Sequence, residues 1–198
     1  MCGAKVLRCP VTSGTLLSIL QNRNLLALNG LDLFRGILYV FTSKTHADRE
    51  GNAMPMIDIY AVAGTFADPK QLAIDAATTV KTIEGVPDIP MFRKNTAAFV
   101  HELSAGTLAN VDGDETYVRV QVLTNEGALD REKQLAVVAQ LTQLVSTAAG
   151  DETLKDRTWV LLTEAKEGGW GLWGHAHTNA ELVAAARDEI AKLRSASS

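Results

Sequence analysis

The chain has 198 residues, of which 46% are hydrophobic and 21% are charged, and its formal net charge is −4. This length predicts one domain of ordinary size, and the near-average composition excludes a wholly disordered, collagenous or coiled-coil chain. No apolar run approaches the ~18 residues of a membrane-spanning helix, and a mildly acidic chain is a poor candidate for binding nucleic acid. Two cysteines, Cys2 and Cys9, are too few for a disulfide framework. We therefore expect a cytoplasmic protein without a membrane or nucleic-acid partner.

The charge of the chain changes sign near Met54. Residues 1–54 contain six basic and three acidic residues, whereas residues 55–198 contain 13 basic and 20 acidic ones. The first segment lacks a clear period, although residues 36–41 resemble one short strand. Three origins are considered for this segment: a real accessory segment, a cloning or tag remnant, or translation assigned from a start codon upstream of the true one. We favour the last. Residues 1–54 are thus predicted to be disordered or absent from the mature protein, with the domain at 55–194.

A strand, a helix and a second strand are predicted directly after Met54. Residues 56–62 are rich in strand formers, and Asp68-Pro69 provides an N-cap followed by proline at the first helical position. The helix is predicted to end at Gly85, with a rigid connector at 86–90 and a strand near 96–101. The inward face of the helix is predicted to hold Leu72, Ala76, Val80 and Ile83.

The same pattern restarts at residue 117. A strand at 117–123 precedes the N-cap Asp130, a helix at 131–149 and a returning strand at 158–163. The tetrapeptide Lys-Gln-Leu-Ala occurs in both helices, 63 residues apart, which indicates an internal duplication. The inward face of this second helix is predicted to hold Leu135, Val138, Leu141 and Val145.

These patterns predict an α+β fold made of two tandem βαβ units, with pseudo-repeats at 55–103 and 116–164. The units would form a four-stranded sheet with both helices on one face. A Trp/Gly-rich hairpin at 170–177 and a helix from Asn179 to about Leu193 follow, and residues 195–198 are predicted to be a disordered tail. One sheet face would stay bare, so we expect an oligomer.

Three segments resemble the tautomerase superfamily, which includes 4-oxalocrotonate tautomerase, malonate semialdehyde decarboxylase and 3-chloroacrylate dehalogenases. They are Pro55–Tyr60, Gly85–Pro87 and Gly169–His175, and the resemblance covers roughly residues 55–180. It is strongest to the fused, decarboxylase-like members. The resemblance implies a tautomerase/MIF-like fold, removal of the initiator methionine, catalysis by the amino-terminal proline Pro55, and a homotrimer.

The chemistry expected of a free Pro55 amine follows from its pKa. An α-amino group titrates near ~7.7–8.0, and burial in an apolar pocket lowers that pKa towards the operating pH. Such an amine moves a proton between carbon and oxygen, and it acts as an acid if it stays protonated. The second unit has no proline at the corresponding position, so one site per chain is expected. The competing interpretation is a strand-opening proline that needs no donor.

An anionic substrate also requires cationic partners. Arg119 lies on the polar face of its strand and Arg93 follows the connector, and the planar guanidinium of either suits a substrate carboxylate. The competing interpretation of each is a surface ion pair. His101 is a candidate pocket residue or a solvated histidine at a strand end. The loop at 124–129 has no arginine where the family often places one. Asp88 orients water or is a solvated loop carboxylate.

The Trp/Gly-rich hairpin is expected to provide an apolar pocket wall or a trimer contact through Trp173 and His175. His175 and His177 alone are weak evidence for a metal, because no third ligand is close in sequence. No metal and no cofactor are predicted. The sequence thus predicts a tautomerase acting on a small, anionic 2-oxo or 2-hydroxy-unsaturated acid. The alternatives are a decarboxylase or hydratase of a semialdehyde acid, and a non-catalytic oligomeric binding module.

Overall fold

The structure is a computed structural model that describes residues 54–197. Its first βαβ unit contains β1 (Met56–Val62), helix α1 (Pro69–Glu84), a short helix α2 (Pro90–Asn95) and β2 (Ala97–Leu103). The side chain of Asp68 accepts a hydrogen bond from the Gln71 amide, and Gly85 ends α1 in the left-handed conformation at φ 76°. Both ends of α1 are therefore where the capping residues predicted them.

The second βαβ unit contains β3 (Val118–Asn125), helix α3 (Arg131–Ala149), a 3₁₀ turn (Glu152–Arg157) and β4 (Thr158–Ala165). A two-stranded hairpin, β5 (Trp170–Leu172) and β6 (His175–His177), then leads into helix α4 (Asn179–Ala196). Among the described residues, no helix is long and apolar enough to cross a membrane.

The four long strands form one sheet in the order β2-β1-β3-β4. Strands β1 and β2 are parallel, as are β3 and β4, and the two units join through the antiparallel pair β1–β3. Residues alternate strictly between the two faces of β1 and along most of β3. The predicted fold class, with a four-stranded sheet covered on one face by helices and followed by a hairpin and a helix, is confirmed.

The main core lies between the sheet and helices α1 and α3. Its central members come from alternate positions of β1 and β3 and from one face of each helix: Ile57, Ile59, Leu72, Ala76, Val80, Val118, Val120, Val122, Val137, Leu141 and Val145. The opposite sheet face exposes Phe99, Trp159 and Leu161, and among the described residues only its end at Met56 and Leu123 packs against a helix-containing cluster. This face will be called the bare face.

A second apolar cluster lies where β1 begins. It is formed by residues from the chain before β1, from α2, from the hairpin and from α4: Met54, Ile89, Met91, Phe92, Trp170, Leu182 and Ala186. The hairpin and α4 therefore cover the amino-terminal end of β1. This group will be called the Met54 cluster.

Several details of the sequence interpretation are wrong. Leu135 and Val138 of α3 are exposed, and Val137 faces the core instead. Helix α2 was not predicted, and α4 continues through Ser195 and Ala196, which were assigned to a disordered tail. Strands β2, β3 and β4 each extend two residues beyond their predicted ends. The predicted strand at 36–41 lies outside the described residues.

Candidate active site

Pro55 lies at the head of β1 and is buried. Its carbonyl accepts a hydrogen bond from the Ala97 amide at 3.2 Å, which is part of the pairing of Met56 with Ala97. The residue before it, Met54, has no exposed surface and packs into the Met54 cluster. The backbone at Pro55 is thus held by the sheet on one side and by apolar packing on the other.

The pairing register shows which residues flank Pro55. Met56 pairs with Ala97 on β2 and with Leu123 on β3, so Thr96 and Thr124 occupy the adjoining positions. The hydroxyl oxygen of Thr96 is buried without a hydrogen-bond partner, and so is the Oδ1 atom of Asn125. Buried polar atoms are seldom unpaired, and two of them occur at this end of the sheet.

Sequence reasoning missed Thr96 and Asn125 as candidate site residues. Both had been assigned to a strand end or a loop, where threonine and asparagine are common. The burial of Asn125 involves a contact with α4 that is distant in sequence: the Asn125 amide donates to Asn179 Oδ1 at 3.2 Å. The only signal in the sequence was the position of each residue beside the end of a strand.

Two predicted site residues, Arg119 and His101, come together on the bare face. The Arg119 guanidinium lies 5.2 Å from the centroid of the Tyr60 ring, and that ring stacks on His101 at 4.3 Å. His101 Nε2 is 2.6 Å from Asp58 Oδ1. Tyr60 is five residues after Pro55, or about 17 Å along an extended strand. Arg119 and His101 are therefore remote from Pro55 within one chain.

Arg93 lies on α2, at the edge of the connector. Its guanidinium donates to the Asp88 carboxylate and to the Asp88 carbonyl, each at 3.2 Å. Lys81 donates to the same carboxylate. The hydrogen bond from Lys81, and to a smaller extent the contact with Arg93, lowers the pKa of Asp88. Arg93 thus forms the surface ion pair that was its competing interpretation.

Trp173 and His175 lie at the turn of the hairpin. Trp173 adopts φ 53° and is followed by Gly174 at φ 76°. Two successive positive φ values are typical of a type I′ turn, which usually has asparagine and glycine. His175 Nε2 lies 3.3 Å from Glu181 Oε1 at the start of α4. Neither residue belongs to the Met54 cluster.

Comparison with known proteins gives a fold but no sequence family. No protein-family model and no curated protein matches the chain. The chain is similar to Pt0534 inactivated by 2-oxo-3-pentynoate, with 20% identity over 64% of this chain and 98% of that one and a TM-score of 0.54. It is similar to a fused 4-OT solved as an asymmetric trimer, with 17% identity over 64% and 98% of the two chains and a TM-score of 0.53.

A third solved structure, malonate semialdehyde decarboxylase, is 17% identical over 66% of this chain and 97% of that one, with a TM-score of 0.50. Its description names decarboxylase and hydratase activities and a variant with alanine in place of proline at position one. At such identities the likeness concerns the fold. The expected tautomerase/MIF-like fold is confirmed.

Proposed function

Because the chain has the fold of the tautomerase superfamily, we propose that residues 55–197 form a tautomerase whose general acid/base is the amine of an amino-terminal Pro55. The substrate is a small 2-oxo or 2-hydroxy-unsaturated acid. The observation that carries the proposal is the position of Pro55, buried at the head of β1 beside the apolar Met54 cluster. An apolar site disfavours a cationic amine and so lowers its pKa towards neutrality.

The mechanism requires cleavage of the peptide bond between Met54 and Pro55. While that bond exists, the proline nitrogen is an amide and has no basic lone pair. Removal of Met54 frees the amine and also vacates the space that the Met54 side chain fills among Ile89, Phe92 and Trp170. One cleavage therefore creates both the base and an apolar chamber beside it.

The buried oxygens of Thr96 and Asn125 are the hydrogen-bonding groups that this proposal uses near Pro55. A substrate hydroxyl or enol can donate to such oxygens, and the Thr96 hydroxyl can in turn donate to a substrate carboxylate. Binding would satisfy groups that the folded chain leaves unpaired. We expect Thr96→Val to raise KM more than it lowers kcat, because it removes one hydroxyl and keeps the side-chain shape.

A homotrimer is part of the proposal. The bare face exposes Phe99 on one edge strand and Trp159 and Leu161 on the other, and large exposed apolar side chains are often covered in oligomers. One solved neighbour is described as a trimer. Leu161→Glu is expected to convert trimers to monomers in analytical ultracentrifugation. Leu135→Glu changes another exposed leucine, on the outer side of α3, and should leave the trimer intact; dissociation by both variants would contradict this interface.

Two other functions remain as alternatives. The same fold with a protonated Pro55 would support decarboxylation or hydration of a semialdehyde acid, as the activities named for the solved decarboxylase suggest. A non-catalytic oligomeric binding module is favoured by the arginines. Arg119 is remote from Pro55 along the strand, and Arg93 is paired with Asp88.

The deciding experiment first determines which residue is at the amino terminus and then tests whether the Pro55 amine is needed for activity. Intact-mass analysis of protein expressed from the full coding sequence should find a chain that begins at Pro55. That chain should turn over phenylenolpyruvate or 2-hydroxymuconate, with Pro55→Ala reducing kcat/KM by roughly 10²–10⁴-fold. Pro69→Ala, which alters another proline at the first turn of α1, is the matched control and should keep its activity.

A covalent probe tests the amine independently of turnover. A free secondary amine adds to the alkyne of 2-oxo-3-pentynoate: a nitrogen–carbon bond forms, and the amine proton passes to the neighbouring carbon. Peptide mapping should find the adduct on Pro55 in the chain that begins there and not in a chain retaining residues 1–54. A mature chain that retains these residues, or one that is active without labelling at Pro55, would contradict the mechanism.

A further inference from the structure

The hairpin and the start of α4 bring three metal-binding side chains together, none of which belongs to the group proposed to act around Pro55. They are His175, His177 and Glu181, and one potential ligand atom from each lies within 4.8 Å of the others. The two histidines are separated by one residue on β6 and so project from the same side of the strand. The absent third ligand, which counted against a metal in the sequence, is thus supplied by Glu181.

His177 has the hydrogen bonding of a metal ligand. Its Nε2–H donates to the Leu172 carbonyl at 3.0 Å, which leaves the lone pair on Nδ1. That Nδ1 atom is buried and has no hydrogen-bond partner. Histidines that bind metals commonly donate their other ring N–H to a backbone carbonyl, which fixes the tautomer. An unpartnered, oriented lone pair beside a second histidine and a carboxylate calls for a cation.

Glu181 is held in place as an anion. Its Oε2 accepts hydrogen bonds from the Thr178 amide at 2.7 Å and from the Thr178 hydroxyl at 3.0 Å. The hydrogen bond from the Thr178 amide, and to a smaller extent the one from its hydroxyl, lowers the pKa of Glu181. Oε1 lies 3.3 Å from His175 Nε2, so the carboxylate is already directed towards the histidine pair.

We propose that His175, His177 and Glu181 bind one divalent transition-metal ion, of which zinc is the best match. Two imidazoles and a carboxylate suit zinc and its neighbours rather than magnesium or calcium. Tetrahedral zinc places its ligand atoms roughly 3.4 Å apart, and the exposed His175 ring is able to rotate into that geometry. The fourth position is open to solvent.

The ion would join the hairpin to α4. His177 pairs with Trp170 on β5, and Leu182 follows Glu181 directly. Both Trp170 and Leu182 belong to the Met54 cluster. Metal binding would therefore hold the hairpin and the start of α4 together, and these are the two elements that cover the head of β1.

Isothermal titration of the metal-free full chain with zinc chloride tests the proposal. His177→Ala should remove one equivalent of bound zinc, and His175→Ala and Glu181→Gln should weaken that equivalent at least about tenfold. Gln at 181 retains the residue type of a capping box, so the helix start is preserved. His101→Ala is the matched control, because His101 also faces a carboxylate but has no third ligand within the described chain.

Hydrogen exchange supplies a second readout. Zinc should slow exchange of the amides in residues 170–182 of the unmodified chain and not in His177→Ala. Zinc held by Cys2, Cys9 or His46 would persist in every variant, so the loss of a single equivalent is the diagnostic result. Unchanged stoichiometry and affinity in His177→Ala, or an equal loss in His101→Ala, would overturn the proposal.

Discussion

The two βαβ units share a topology and a tetrapeptide but bury different residues. Leu72 in the first Lys-Gln-Leu-Ala is 2% exposed, whereas Leu135 in the second is 54% exposed. The cause is the position of each tetrapeptide relative to the start of its helix. Leu72 is four residues after its N-cap Asp68, and Leu135 is five residues after Asp130. One residue is about 100° of rotation on a helix, so the second leucine faces outward.

The core-facing row of α3 confirms this rotation. It consists of Val137, Leu141 and Val145, spaced by four, and Leu135 precedes Val137 by two residues, or about 200°. In the first unit the leucine of the tetrapeptide belongs to the buried row of the helix, which consists of Leu72, Ala76 and Val80. A duplicated sequence therefore conserves the helix without conserving which of its faces is buried.

The largest stability difference between the units should come from these two leucines. Leu72→Ala removes a buried side chain from the main core and should lower the free energy of unfolding by about 2–5 kcal/mol. Leu135→Ala removes an exposed one and should change it by less than about 0.5 kcal/mol. Urea denaturation of both variants measures the pair.

The proposed trimer provides the control for that comparison. If α3 lies on an oligomer interface, Leu135→Ala would destabilise the protein in a concentration-dependent way. Denaturation at two protein concentrations separates this from core packing. Equal losses for the two leucines, independent of concentration, would contradict the difference in helix rotation.

The ends of helices α1 and α3 were predictable from sequence because they depend on local chemistry. Asp68 and Asp130 cap their helices, and Gly85 and Gly150 end them in the left-handed conformation, each through contacts within a few residues. The face of α3 was not predictable, because Leu135, Val138, Leu141 and Val145 also make an amphipathic row. The choice between the two rows depends on packing against the sheet.

The candidate site divides in the same way. The resemblance located Pro55 and its place at the head of a strand. It did not locate Thr96 or Asn125, which are placed beside Pro55 by the β1–β2 and β1–β3 registers and, for Asn125, by a contact with α4. Glu181 was also missed as a neighbour of His175 and His177, because a glutamate three residues after Thr178 is a normal capping box.

A second difference between the units is the charge at the end of each helix. Glu84 is the last residue of α1 and is buried with both carboxylate oxygens unpaired, whereas α3 ends in Ala149. Burial raises the pKa of Glu84 to about 8, against a smaller opposing effect of Lys133. The folded state therefore holds this proton more tightly than the unfolded chain does.

This raised pKa makes stability depend on pH. The contribution of Glu84 is fully present below pH 4.5 and is lost as the pH rises through about 8. Glu84→Gln should flatten this decline and stabilise the protein at pH 9 by at most about 5 kcal/mol. Urea denaturation at pH 5, 7 and 9 measures it, with the exposed Glu132→Gln as control; a decline that persists in Glu84→Gln would assign it to other groups.

The smallest expected loss of stability comes from the helix N-caps, and there the two units should behave alike. Asp68 accepts from the Gln71 amide at 2.9 Å and Asp130 from the Lys133 amide at 3.0 Å. Both aspartates are exposed, so each alanine variant should cost about 1 kcal/mol. The cost should be equal for the two caps because a cap acts on its own first turn, whichever face of the helix is buried. Thermal denaturation of Asp68→Ala and Asp130→Ala measures both, and a cost several times larger at one cap would show that its aspartate also stabilises the packing between helix and sheet.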